Sequence, residues 1–468
     1  MLGLVLAPLA IEAAHAADRG AAKSDALSLP ADWLETLTID GFLDGGVALN
    51  PALPANGLNF GQYYTDRANA PQLNQSVITV QRPLTPNATG VDYGFKFQGM
   101  YGTDVRYTEY LGQADYLIKG RAQLTIVEAN VQAHLPILTK GGVDVKIGQF
   151  GTYNGTEVFP SKDNIFYTHI YSYNFGPFLH TGAMTITNVN DWLKIYAGVT
   201  SGIDTWLGWP GDNNNAPSFH GGFSVSLLND NLTIMGITHS GPENPDVKDA
   251  YHVGWPNGVI GGVPAACACN PTYTWRYYNN LMATWKATEN LTFITDMNYY
   301  REDGWNPISV TGLPAYALNA LGGALGFDPA LVPQRAQGAD AYGVTQYAVY
   351  KLNDLVRLGA RIELWRDNKN FFAAAYPGYF DNANSLHGFP ATVLSRPAGQ
   401  GTSYLALTAG ATITPKFEGA SLISGLIMRP ELRWDAAMNN AAPFFGSSGP
   451  KRTQGLILID VMLPFVLR

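Results

Sequence analysis

MRPELRWD, residues 428–435, sets Met428, Leu432 and Trp434 on one side of an extended chain and Arg429, Glu431, Arg433 and Asp435 on the other. A period of two is the signature of a strand. The pattern recurs in VRLGARIEL (356–364), where Val356, Leu358, Ala360, Ile362 and Leu364 alternate with Arg357, Arg361 and Glu363. VEANVQAHL (127–135) sets Val127, Ala129, Val131, Ala133 and Leu135 against Glu128, Asn130, Gln132 and His134, and VDYGFKFQGMY (91–101) sets Val91, Tyr93, Phe95 and Phe97 against Asp92, Lys96 and Gln98. Strands with one apolar and one ionisable face suit a soluble sandwich or an outer-membrane barrel with a wet lumen.

Connection lengths separate the two. The alternating pattern predicts about sixteen strands, near 36–50, 71–82, 91–103, 121–135, 142–152, 178–189, 191–201, 219–228, 231–240, 274–287, 291–303, 339–352, 355–366, 402–414, 422–436 and 453–465. Short turns such as Asn190-Asp191, Asn229-Asp230 and Asn353-Asp354 alternate with long Gly/Pro/Asn-rich segments. Tight turns at one end and long loops at the other are the outer-membrane arrangement, and an even strand count puts both termini on the periplasmic side. On the lipid face each Arg or Lys near the midplane costs about 2–4 kcal/mol. Arg429 and Arg433 must therefore face an aqueous interior. The expected fold is all-β, a transmembrane antiparallel up-and-down barrel wide enough for a channel. Tyr101, Tyr107, Tyr299, Tyr300 and Trp365, near strand ends, are candidates for interfacial aromatic girdles.

Composition agrees. The 468 residues include Gly 50, Tyr 25, Phe 21 and Trp 10, with 14% charged residues against a usual figure of about 25%. Beyond the first residues no apolar run approaches the roughly 18 needed for a spanning helix, which excludes a helical membrane protein. MLGLVLAPLAIEAAHA (1–16) reads as a signal peptide ending in a small-x-small cleavage site, although it lacks a basic start and Glu12 interrupts it. Residues 17–35 would be a periplasmic segment and 36–468 a single barrel domain. A net charge of -8 with no basic block argues against nucleic acid. Cys267 and Cys269 lack further ligands for a metal site, and no cofactor is indicated.

Several stretches resemble the OmpL-like β-barrel porin family of bacterial outer-membrane proteins: GFLDGGVALNP (41–51), VITVQRP (77–83), MYGTDVRYTE (100–109) and above all VKIGQFGTYNGTEVFPSKDNIFYTHIYSYNFGPFLHTG (145–182). The resemblance implies an outer-membrane barrel acting as a passive channel, without specifying a solute. Its partners would be outer-membrane lipid and lipopolysaccharide, the barrel assembly machinery, small hydrophilic solutes and, as in general porins, other copies of the chain. One departure is the C-terminus, PFVLR, where Phe465 stands in for the usual terminal aromatic.

Residues 153–177 form the third long loop, the one that in general porins folds inward and narrows the channel. Phe159, Phe166, Tyr167 and Tyr171 are its expected wall anchors, and Glu157, Lys162 and Asp163 would line a constriction. Lys96 and His134 are further pore-lining candidates, and the strands bearing Glu128 and Asp144 would lie roughly across the lumen from those bearing Arg357, Arg361, Arg429 and Arg433, with Glu363, Glu431 and Asp435 interleaved among the arginines. Either a transverse field or a self-neutralising ladder would result. The expected function is passive diffusion of small hydrophilic solutes or ions. The alternative is a non-conducting structural or surface-binding barrel acting through long loops at 241–273, 304–338, where 314–332 could hold a short helix, and 367–401. An enzyme is not expected: His134 and Asn130 are roughly 13 Å apart along a strand, too far for direct cooperation.

Overall fold

The computed structural model describes residues 33–108, 110, 113, 121–207, 216–243, 259–260, 263–264, 275–303, 339–368, 401–415 and 422–467. The expected signal segment, Cys267 and Cys269, the 314–332 stretch and most of the three longest loops lie outside them. The strands are β1 (Thr38–Leu49), β2 (Pro71–Arg82), β3 (Asp92–Gly102), β4 (Gln123–Leu135), β5 (Val143–Gly151), β6 (Leu179–Asn188), β7 (Leu193–Thr200), β8 (Ser218–Leu227) and β9 (Leu232–Pro242). After a two-rung hairpin of β10 (Val259–Ile260) and β11 (Val263–Pro264) come β12 (Trp275–Lys286), β13 (Leu291–Glu302), β14 (Ala339–Lys351), β15 (Val356–Asp367), β16 (Thr402–Ile413), β17 (Ile427–Ala437) and β18 (Thr453–Val466). All except β10 and β11 join one closed barrel of sixteen antiparallel strands. Closure runs from Asp40↔Val466 to Leu49↔Ile457 between β1 and β18, so the barrel itself presents no open strand edge to lipid.

The tight turns cluster at the end where β1 begins and β18 finishes. In the β8–β9 turn, Leu228, Asn229 and Asp230 all take left-handed φ values of 54°, 53° and 62°, a conformation that Asn and Asp tolerate best. Ile78, Phe97, Val131, Ile362, Leu432, Trp434 and Ile457 point outward and are 41–61% exposed. This apolar girth is far larger than a soluble surface carries and is the lipid-facing belt.

Two bulges re-aim side chains inward. The β1–β2 register slips between Asp44 and Gly45, skipping Asn74, and the β3–β4 register slips between Gln98 and Gly99, skipping Val127. Val127, read from alternation as a lipid-facing residue, is consequently fully buried in the interior cluster with Tyr107 and Tyr110. The girdle assignments divide as well. Tyr101 and Tyr299 are 44% and 42% exposed on the outside, whereas Tyr107, Tyr300 and Trp365 are 4%, 2% and 2% exposed and lie inside.

The core of this protein therefore sits in the lumen. Residues 50–70, residues 103–108 and 110 of the β3–β4 connection with the 3-10 turn Asp104–Tyr107, and the β5–β6 loop 152–178 all fold into it. The sequence pointed to inward folding of the last alone.

Candidate functional site: a loop latched across the barrel

A loop inside a barrel brings backbone N–H and C=O groups that need partners. The β5–β6 loop, called L3 below, obtains them in chain order from the wall. Thr152 N–H bonds Phe178 C=O at its base, 2.9 Å. Tyr153 N–H reaches His220 Nε2 (3.3 Å), Gly155 N–H reaches Asn280 Oδ1 (3.2 Å) and Thr156 N–H reaches Asp296 Oδ2 (2.8 Å). Gln75 on β2 then brackets the far side, accepting from Ser161 N–H at 3.1 Å and donating to Phe159 C=O at 2.7 Å.

The returning half of L3 runs along β17, whose inward row takes it up step by step. Arg429 donates to the carbonyls of Ser161 and Asn164, both 2.8 Å. Glu431 accepts the N–H groups of Tyr167 (2.7 Å) and Thr168 (3.1 Å). Arg433 donates to His169 C=O (2.8 Å), and Asp435 accepts the Tyr171 hydroxyl (2.9 Å). On β15, Glu363 accepts Tyr171 N–H (2.7 Å) and Arg361 donates to Thr168 C=O (2.9 Å). Arg429 is also paired with Asp460, and Arg433 with Asp435.

Glu157 is the hub. Its Oε1 accepts from Arg361 Nη1 at 2.6 Å and the Tyr347 hydroxyl at 3.0 Å, and its Oε2 accepts from His169 Nδ1 at 2.9 Å and Ile170 N–H at 3.0 Å. Burial alone would raise its pKa. The Arg361 charge and the His169 bond outweigh that and bring it down to about 2, so the carboxylate stays ionised. His169 is held below its usual range, burial outweighing the pull of Glu157, and donates its Nδ1–H as a neutral ring.

The four expected anchors Phe159, Phe166, Tyr167 and Tyr171 are all buried, and each fits against a glycine that leaves space for its ring. A Cβ on Gly359 would stand 2.9 Å from Phe166 Cζ, one on Gly46 2.7 Å from Tyr167 Cζ, one on Gly61 2.7 Å from Tyr171 Cε1, and one on Gly151 2.9 Å from Phe159 Cε1. Gly359 pairs across the sheet with Gly410, forming a bare patch of wall for Phe166. The Arg361 guanidinium lies over that ring, 4.8 Å from its centroid.

The remaining sequence-selected residues fall elsewhere. Lys162 and Asp163 form a partly exposed ion pair at 2.8 Å. Lys96 pairs with Glu128 at 2.8 Å, and His134 Nδ1 lies 2.6 Å from Asp144. Arg357 is half-buried on β15, one turn-side step from the latch. Thus Arg361, Glu363, Arg429, Glu431, Arg433 and Asp435 join Glu157 in the latch, while Lys96, Asp144, Lys146 and Lys194 stand half-buried on the inward rows of β3, β5 and β7. Sequence reading passed over Gln75, Asn280 and Asp296. Asp296 was accessible to it, since Ile294, Asp296, Asn298 and Tyr300 share one parity of LTFITDMNYY.

A closed sixteen-strand barrel with a lipid belt and an inward third loop is the architecture of an outer-membrane porin. The profile of the family described as "Putative beta-barrel porin-2, OmpL-like" matches residues 36–465, and the chain belongs to that family, which makes it a protein of the bacterial outer membrane. A search of curated proteins found no match. Among solved structures it is similar in fold to the anion-selective porin from Comamonas acidovorans (8% identity, 92% of this chain and 99% of that chain covered, TM-score 0.50). It also resembles OmpT of Vibrio cholerae (10% identity, 92% and 97% covered, TM-score 0.46) and OprD from Pseudomonas aeruginosa (12% identity, 92% and 94% covered, TM-score 0.42).

Proposed function

We propose that the barrel is a passive diffusion channel for small hydrophilic solutes or ions, with L3 fixing its cross-section. The observation that carries this reading is the latch. Six inward charged residues of β15 and β17 are committed to holding one loop in place across the lumen, which defines an aperture that thermal motion does not blur. The water path then follows the opposite wall, past Lys96, Asp144, Lys146 and Lys194, with Lys162 and Asp163 contributed by L3. Charges of both signs on such a path favour polar solutes over apolar ones.

Single-channel recording of the refolded protein in a planar bilayer tests this directly. Stable conductance steps, with a reversal potential in asymmetric salt, are expected. A specific observation favours a second reading. Tyr63, Tyr64, Tyr107, Tyr110, Tyr173 and Phe178 pack into one buried cluster inside the lumen, as they would in a barrel plugged by its own loops. A folded barrel that never conducts would support that reading and overturn the first.

A further inference from the structure

Three histidines that take no part in holding Glu157 converge inside the wall near the ends of β6, β8 and β9 that join the long loops. His180, His220 and His239 are each 0% exposed, and one ring nitrogen from each lies within 4.8 Å of the others. His220 and His239 are direct cross-strand partners. Ring centroids are 4.2 Å apart for His180 and His220, 5.0 Å for His180 and His239, and 5.8 Å for His220 and His239.

The far nitrogens of two of these rings are already fixed. His239 Nε2 lies 2.8 Å from Glu243 Oε1, and Glu243 is steadied by the Ser218 hydroxyl (2.7 Å) and Ile203 N–H (2.9 Å). His180 Nδ1 donates to Gly202 C=O at 3.2 Å. A carboxylate or carbonyl on the far nitrogen fixes the tautomer and leaves a lone pair on the near one, the arrangement around metal-bound histidines. The nitrogens this leaves to face a shared ion are His239 Nδ1 and His180 Nε2. His239 Nδ1 and His220 Nδ1 are buried without any hydrogen-bond partner, an unusual state for polar atoms in a dry interior.

We propose that His180, His220 and His239 form a three-histidine site for a divalent transition-metal ion of the zinc, nickel or copper class. Imidazole suits these ions, and three nitrogens at about 2.0–2.1 Å leave a fourth position open. Thr152 Oγ1, 3.3 Å from His180 Nε2, borders that position. An equilateral triangle with 4.8 Å sides has its centre ~2.8 Å from each corner, so closing onto an ion takes ring movements of ~0.7 Å. Two contacts must be exchanged: ligation through His180 Nε2 displaces the Thr152 hydroxyl that now lies 3.3 Å from it. Ligation through His220 Nδ1 puts the proton on Nε2, where Tyr153 N–H now donates at 3.3 Å. Thr152 and Tyr153 are the first residues of L3, so the ion and the first tether of the loop compete for the same rings.

The test uses the refolded full chain carrying Cys267→Ser, Cys269→Ser, His252→Gln and His387→Gln, which removes alternative ligands in the long loops. Samples are equilibrated for hours with Co²⁺ and, separately, Cu²⁺. One retained Co²⁺ per chain is expected, with at least tenfold weaker retention in His220→Asn and His239→Gln and no change in His134→Gln. Cobalt retention that is absent, or equal in all variants, overturns the proposal. Electron paramagnetic resonance of the Cu²⁺ sample needs no site variant and decides the case if those variants misfold. Superhyperfine splitting from three nitrogens supports the site, and oxygen-only coordination rejects it.

Discussion

Arg361 on β15 and Glu157 in L3 meet at 2.6 Å with their side chains 1% and 6% exposed, joining residues 204 positions apart in a dry part of the lumen. Removing one member of such a pair strands the other as a buried charge, at a cost of about 3–5 kcal/mol. Arg361→Ala should lower the temperature at which the barrel loses its heat-modifiable migration on gels and produce larger, noisier conductance steps. A quiet channel of unchanged size in that variant would show that the latch does not set the aperture.

The same pair makes the loop acid-sensitive. The Glu157 carboxyl titrates at about 2 in the folded chain against an ordinary 4.5. A depressed acid contributes its full stabilisation above 4.5 and loses it as pH falls toward 2, amounting to roughly 3 kcal/mol. Proteolysis of L3 or channel noise should therefore rise between pH 4.5 and 2, and Glu157→Gln should flatten that part of the profile.

Gly359 is required by volume, since its Cβ would stand 2.9 Å from Phe166 Cζ. Gly359→Leu overpacks that wall and should cost about 1–3 kcal/mol. Adding Phe166→Ala should recover part of the loss in a double-mutant cycle, whereas strictly additive effects would place the strain elsewhere.

The two faces of the barrel should respond oppositely to charge. Leu432→Arg, in the middle of the outward row of β17 and 59% exposed, should cost about 2–4 kcal/mol in a bilayer. Gln132→Arg, on the inward row of β4, should stay within about 0.5 kcal/mol. Urea titration in lipid vesicles measures both.

If solutes pass along β3, β5 and β7, Lys146→Glu with Lys194→Glu should move the reversal potential toward cation preference in asymmetric salt. Arg361→Glu alters the potential only by way of the loop and should also change conductance.

Strand positions, the pairing of short turns with long loops and the ionisable rows were legible because each depends on neighbours along the chain. Parity alone placed Arg361 and Glu363 inside, and applied to Trp365 it would have placed that residue inside too, in preference to a girdle. Val127 escaped the rule because its bulge exists only in register with β3. The roles of Arg429, Glu431 and Arg433 were legible as inward charge but not as a latch. Their partners are backbone groups of L3 more than 260 residues away, and no local pattern encodes a distance of that kind. His180, His220 and His239 meet only because three hairpins align them.

That latch also orders events during assembly. L3 leaves the ribosome before β15 and β17, yet the partners of its returning half lie on them, so the backbone groups taken up there, from the Asn164 carbonyl to the Tyr171 N–H, have no wall partner until the last quarter of the chain arrives. Contacts of such sequence separation form late. Docking of the loop's returning half thus waits on the same C-terminal stretch of chain that supplies the β1–β18 seam, and the barrel completes its circumference around its own cross-bar.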